Sequence, residues 1–339
     1  MDFSKLNKPL ILKDILNCKV PQDFQGGVFA IGNFDGVHKG HQKAIFEAKK
    51  LALLLQNLEQ QNQSQNLENN KIGKELENYG AITFSPHPVA FFKKPQSFFL
   101  TLEAQKIDLL YFYGAKKIIL INFAEIYHLS AEEFFNKILV DKLKIKGLVS
   151  GANFTFGKNK EGSKKNLEEL ALSKGIKYSI VEEVKAEGDT ICSSSLIRDN
   201  LSQGELQKAK KYLGHNFMVK GEVVHGTKLA RTLGFPTANL LINEYVTLKY
   251  GVYGVAVIIG NTRYFGIANF GLRPTFHKDK IEVLEVHIFD YSGDLYGLHL
   301  EVEFLEFIRS EVKFTSIENL KKQIEVDIIS VKNILSTIK

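Results

Sequence analysis

At 339 residues the chain exceeds a usual single core, so two domains are expected, and 44% apolar with 24% charged residues is the make-up of an ordinary globular protein. No run approaches the ~20 apolar residues that cross a bilayer, Lys5, Lys8 and Lys13 interrupt any secretory leader, and Cys18 and Cys192 lack CxxC spacing; these exclude a membrane span, a disulfide framework and a zinc cluster, and predict a cytoplasmic protein. The net charge of +6 reads first as solubility and then as basic surface for phosphate-bearing small molecules; without a Lys/Arg stripe nucleic acid comes last as a partner, and neither a membrane nor an oligomer is indicated.

In chain order, Val28–Ile31 is a short apolar strand followed by a helical pattern over Gln42–Leu55. Ala81–Phe84, Lys117–Ile121, Gly147–Ser150 and Lys177–Val181 are further strands, with helical patterns at Glu103–Tyr113, Glu132–Val140 and Leu167–Lys174 between them. This alternation predicts an α/β fold with a doubly wound parallel sheet. Ligands bind such sheets beyond the carboxyl ends of the strands, here the loops after Ile31 and Phe84. From Gln56 to Asn70 ten of fifteen residues are Gln or Asn, which predicts a solvated helix end or a disordered insertion.

Ile31–His41 reads I-G-N-F-D-G-V-H-K-G-H, after a strand and opening a helix. Gly32, Gly36 and Gly40 permit tight turns and close backbone approach, and the helix N-terminus behind them favours phosphate. His38 and His41, three apart, point to one side of a first turn and can donate to phosphate oxygens. A partial metal site or two unrelated surface histidines are the other readings.

H-K-G-H resembles the H-x-G-H motif of the nucleotidylyltransferase superfamily, and G-N-F-D-G-V-H-K-G-H resembles its bacterial FAD synthetase branch. Three further segments match that branch in order: T-F-S-P-H-P at Thr83–Pro88, G-A-N-F-T-F-G at Gly151–Gly157, and I-C-S-S-S-L-I-R at Ile191–Arg198. The resemblance implies that Gly32, Asn33, Phe34, Asp35 and Gly36 bind the nucleotide with Ser194, Ser195 and Arg198, the last three gripping ATP phosphates. It implies flavin contacts from His87 and Asn153 and catalytic histidines at His38 and His41. Read alone, Ser194 or Ser195 would cap the following helix and Pro86 and Pro88 would make a rigid turn. Asn153 stands where many relatives carry Asp, and Cys192 where Ser is frequent.

A polar helical stretch near Leu201–Tyr212 marks a change of texture. Met218–His225, Tyr253–Ile259, Tyr264–Ala268, Glu282–Phe289 and His299–Phe307 are successive strands without helices, which predicts a small antiparallel barrel, and Ile317–Ile338 a terminal helix. The predicted domains are residues 1–204 and 205–339.

Gly234–Asn239 reads G-F-P-T-A-N, and in an extended chain Thr237 and Asn239 share one face, offering a hydroxyl and an amide oxygen suited to Mg²⁺. An ordinary turn is the reading of a lone P-T-x-N. With V-H-G-T-K-L-A-R-T-L-G-F-P at Val224–Pro236, G-I-A-N-F-G-L-R-P-T-F at Gly266–Phe276 and L-E-V-H-I-F-D at Leu284–Asp290, it resembles riboflavin kinase. The resemblance implies Gly226, Lys228, Gly234, Thr237 and Asn239 at the nucleotide, with Thr237 and Asn239 on Mg²⁺, and Glu285 as general base. Alternation supports Glu285: Leu284, Val286 and Ile288 fall on one face and Glu285 with His287 on the other. Periodicity alone would also allow a solvated charge there. Ala230 occupies a position usually Gly, and Ser310 one frequently Pro. Together the two halves imply a bifunctional enzyme with riboflavin, FMN and ATP as substrates and FMN and FAD as products.

Overall fold

The structure, a computed structural model, describes residues 9–64, 78–185, 190–226, 233–274 and 280–337. The chain divides into two compact units, Phe3–Pro95 with Glu103–Cys192, and Gln96–Leu102 with Ser193–Lys339.

The first unit is a six-stranded sheet of order β1-β4-β3-β2-β5-β6, formed by β1 (Leu10–Lys13), β2 (Val28–Ile31), β3 (Tyr79–Ser85), β4 (Lys117–Asn122), β5 (Gly147–Gly151) and β6 (Lys177–Val181), with every pairing parallel. Its central strands are apolar throughout because both faces are covered. Val28, Ala30, Ala81, Ile118 and Val149 face one core with Ile45 and Ala48 of α1 (Lys39–Ser64). Phe29, Ile31, Ile82, Phe84, Ile119 and Ile121 face the other. Helices α2 (Pro88–Lys93), α3 (Glu103–Phe112), α4 (Phe123–Ile126), α5 (Ala131–Phe134, continued by a π-helical turn Phe135–Lys142) and α6 (Lys164–Ser173) complete the unit.

The predicted strands and helices are present with ends moved by a few residues, and β1, α2 and α4 are additional. The helix predicted to end at Leu55 continues to Ser64. Glutamine is a good helix former, so this solvated turn persists where a core pattern has stopped; Glu59 pairs there with Lys146 at 2.6 Å. The rest of the Gln/Asn-rich stretch, residues 65–70, lies outside the described residues.

The second unit is a closed antiparallel barrel, order β10-β11-β8-β7-β12-β9, built from β7 (Met218–Val224), β8 (Ala238–Leu241), β9 (Gly251–Ile259), β10 (Thr262–Pro274), β11 (Lys280–Ile288) and β12 (His299–Ser310). It is preceded by α7 (Ser194–Ser202) and α8 (Leu206–Leu213) and followed by α9 (Ile317–Thr337). Val331 and Leu335 of α9 pack on Val252, Ala256 and Ile267 of the barrel. The helical stretch read as continuous to Tyr212 is broken at Gly204, whose φ of +78° favours glycine.

Residues 193–204 make their contacts within the second unit. The reason is local: the Lys249 N–H donates to Leu201 O at 3.3 Å, and α8 reaches β12 through Gln207 Nε2 on Leu305 O at 2.9 Å. Gln96–Leu102 joins them through Phe98 and Phe99 N–H groups on the Glu244 carbonyl.

Candidate active sites

The loop after β2 is a run of left-handed residues, Phe34 at φ +53°, Gly36 at +79° and Val37 at +39°. Two of the three are not glycine, which is strain of the kind held at functional loops; Phe34 sustains it by burying its ring in the core. The three motif glycines have different tasks. Gly36 supplies a positive φ, whereas Gly40 supplies room: a Cβ there would meet His38 Cε1 at 3.1 Å. A Cβ on Gly32 would meet only ordinary contacts, from 3.5 Å outward.

His38 precedes α1, and its Nδ1 accepts the Gly40 N–H at 3.1 Å. A neutral His38 therefore carries its proton on Nε2, as a donor. The His41 ring stacks on it with centroids 3.7 Å apart and also leans on Phe34 at 5.0 Å. Among the described residues His41 Nδ1 is enclosed with no hydrogen-bond partner. Burial pushes His41 well below the ordinary histidine range, and His38, Lys106 and His87 push it further; it is neutral at neutral pH. Asp35 is buried in the turn, and Thr83 Oγ1 donates to the Asn33 carbonyl at 3.2 Å, tying the loop to β3.

At the end of β3, His87 caps α2, with Nδ1 accepting the Val89 N–H at 3.1 Å and Pro88 in the first helical position. Phe91, Phe92, Phe123 and Tyr127 cluster beside it with centroids 5.1–6.2 Å apart. Phe92 is 65% exposed and Tyr127 44%, so the cluster presents a broad aromatic face. The motifs do not reveal these rings, although F-F two residues after P-H-P is a visible signal. Asn153, after β5, is exposed and donates through Nδ2 to Glu183 Oε1 at 2.5 Å.

In the second unit, α7 is capped by Ser193, whose Oγ accepts the Leu196 N–H at 3.2 Å. This corrects the capping alternative for Ser194 and Ser195, which instead begin the helix proper. Arg198 lies over the Phe98 ring at 4.1 Å and donates from Nε to Phe98 O at 2.8 Å.

Among the described residues, cavities open on the barrel at two places. One, of about 600 Å³, is lined by Glu285, His287, Asn269 and Phe235 together with Phe314, Leu320 and Asp327. The other, of about 650 Å³, is lined by Gly226, Tyr291, Asp294 and Tyr296. Thr237 and Asn239 line both, so they stand in the wall that the cavities share. Both volumes are those of small-molecule sites. Glu285 on β11 is directly opposite Asn239 on β8 and Asn269 on β10. Leu284 and Val286 are fully buried while Glu285 is half-exposed in its cavity.

The supports are polar and local. His287 Nδ1 donates to Pro236 O at 2.8 Å, fixing the turn before Thr237. Asp327 of α9 accepts Arg309 Nε at 3.0 Å and Nη2 at 2.7 Å, with Gln323 Nε2 at 2.8 Å, fastening the helix over the first cavity. Gly226 packs so closely that a Cβ would come 2.5 Å from the Asn239 amide. Gly234 has φ +92° in open space, so it serves conformation rather than fit. Lys228 and Ala230 lie outside the described residues. Ser310 ends β12 opposite Gly251.

Among the described residues no group of three His, Cys, Asp or Glu could hold a metal. The Thr237 hydroxyl and Asn239 amide oxygen are different donors, hard and neutral. They fit a small hard cation that takes most of its ligands from phosphates and water.

Residues 20–195 match the FAD synthetase family and residues 213–335 the riboflavin kinase family. The bifunctional riboflavin kinase/FMN adenylyltransferase of Bacillus subtilis (strain 168) is 35% identical over 308 residues, 88% of this chain and 90% of that protein. Its counterpart in Escherichia coli (strain K12) is 34% identical over 326 residues, 95% and 96% of the two chains. A solved structure described as a macrolide-efflux protein from Streptococcus pneumoniae superposes with TM-score 0.77 at 28% identity, over 96% of this chain and 99% of that one. Among the described residues here no helix is long and apolar enough to cross a membrane. Two ordered family matches and end-to-end similarity to proteins of both activities place the chain in the bifunctional riboflavin kinase/FMN adenylyltransferase family, which uses ATP to convert riboflavin to FMN and FMN to FAD.

Proposed function

We propose that the two reactions divide between residues 205–339, for phosphorylation, and residues 1–204, for adenylylation, in the cytoplasm. The family matches, which end at 195 and resume at 213, support that division. The observation that carries the kinase assignment is the shared wall: Thr237 and Asn239 face both cavities and Glu285 stands across from Asn239 in one of them.

Riboflavin occupies the cavity of Glu285, with its apolar lining of Val252, Ile267, Phe235 and Phe314, and the nucleotide occupies the cavity of Gly226. Glu285 accepts the proton of the terminal ribityl hydroxyl as that oxygen attacks the γ-phosphorus of ATP and ADP leaves. Thr237 and Asn239 would hold Mg²⁺, which when bound neutralises phosphate charge. Gly226 lets Asn239 sit at this wall. Gly226→Ala is expected to lower FMN formation on the order of tenfold to a hundredfold by displacing the amide, with FAD formation from supplied FMN unchanged.

In adenylylation an FMN phosphate oxygen attacks the α-phosphorus of ATP and pyrophosphate leaves. His38 and His41 hydrogen-bond the oxygens that gain charge. The strained loop of Gly32, Asn33, Phe34, Asp35 and Gly36 receives the nucleotide, and Ser194, Ser195 and Arg198 take its phosphates. His87 and Asn153 serve the flavin, whose ring system suits the aromatic face of Phe91, Phe92, Phe123 and Tyr127.

The direct test follows flavins chromatographically in full-length protein with riboflavin, ATP and Mg²⁺. FMN is expected first and FAD after it. FAD formed only from added FMN would remove the kinase assignment from the barrel.

A further inference from the structure

One charged side chain of the first unit has no place in this scheme. Lys106 lies in the first turns of α3 and is only 6% exposed. Lysine is rarely buried without a paired carboxylate. Here the ammonium makes, among the described residues, one hydrogen bond, to the Phe84 carbonyl at 3.2 Å. An ammonium has three N–H donors, so two are left over. Glu103, one turn earlier, is committed elsewhere: Oε1 takes Lys13 Nζ at 2.7 Å, and Oε2 accepts from Ser85 Oγ. The first turns of α3 thus grip the end of β3 at two consecutive residues, immediately ahead of Pro86 and His87.

The titratable groups around Lys106 come from three elements: Asp35 from the turn before α1, Glu103 from its own helix, and His41 from α1, with His87 adding to the field on His41. Burial pushes the ammonium down to about 8, opposed by Asp35 and Glu103. A tie to a backbone carbonyl needs no charge, since a neutral donor would make it without the cost of desolvating a cation. What a buried ammonium adds is a fixed field in a low-dielectric setting.

We propose that Lys106 is a positioning residue of adenylyl transfer, an internal cation anchored to the end of β3 that sets the charge around the stacked histidines. This rests on the reading that His38 and His41 serve FMN adenylylation. At neutral pH the charged ammonium favours the negative charge that collects on phosphate oxygens during transfer, and it adds to the burial that already keeps His41 neutral. As pH rises through about 8 the proton is lost and with it the field on those oxygens.

The test is the pH profile of kcat/KM for FMN adenylylation in the full chain, comparing wild type, Lys106→Arg and Lys106→Met, with riboflavin phosphorylation measured in the same samples. Wild type is expected to lose adenylylation above about pH 8. Lys106→Arg is expected to carry activity to higher pH, because guanidinium stays charged. Lys106→Met is expected to be slower at pH 7 on the order of tenfold to a hundredfold, without the alkaline limb, while phosphorylation is unchanged in all three. A limb at the same pH in Lys106→Arg, or a Lys106→Met profile equal to wild type, overturns the proposal. Should Lys106→Met fail to fold, the arginine comparison decides. Wild type that makes FMN and never FAD would overturn the parent reading as well; wild type that makes FAD with indistinguishable variants overturns this inference alone.

Discussion

Glu285→Gln lowers riboflavin phosphorylation on the order of 10²–10⁴-fold and leaves adenylylation of supplied FMN at the wild-type rate. The substitution keeps size and hydrogen-bonding reach and removes only the ability to take a proton. Its neighbours in the ladder, Asn239 and Asn269, are neutral amides that accommodate either side chain. The barrel does not rest on this residue, because Leu284 and Val286, on the opposite face of β11, bury the apolar surface. A charge on a solvated strand face could be replaced by glutamine without consequence. A charge facing a cavity whose wall carries Thr237 and Asn239 cannot, if it receives the hydroxyl proton. Initial rates of FMN formation, with FAD formation from FMN as the internal control, decide it. Phosphorylation that survives while adenylylation is lost would reverse the assignment of the two reactions.

How far these features could be read beforehand depended on whether a residue's neighbours were near in sequence. The central strands were legible because burial on both faces leaves apolar runs such as Val28–Ile31 and Lys117–Ile121. The barrel was legible through alternation, as at Leu284–Ile288. The edge strand β1 was not, since its apolar run Leu10–Leu12 is only three residues long and three of the strand's four residues are exposed. Nor was α2, which is six residues opened by a proline. At the sites, the histidine spacing is local, and so the pair could be named. The stacking of the rings depends on the extended backbone of His38, at ψ 173°, which spacing does not specify. Lys106 was invisible for a stronger reason: a lysine three residues after a glutamate on a helix reads as a surface ion pair. Only the fold shows Glu103 turned toward Lys13 and Ser85, with the lysine buried. The need for Gly226 likewise arises from Asn239, thirteen positions away in the chain and across a strand pair.

His41→Leu abolishes most FAD formation, on the order of 10²–10³-fold, yet stabilises the first unit by about 1 kcal/mol. The two effects come from the same atom. His41 Nδ1 is enclosed without a partner among the described residues, so folding strips its hydration and returns nothing. Leucine, of similar volume, keeps contact with Phe34 and the His38 ring while removing the unpaired nitrogen. A histidine retained for packing would show the opposite result, a destabilised protein with its adenylylation rate intact. Denaturant unfolding monitored on the first unit, beside rates of FAD formation and riboflavin phosphorylation, separates the cases. A site that stores an unsatisfied polar group gives up stability for function. On this reading the fold tolerates the unpaired nitrogen because the same ring is kept for adenylyl transfer.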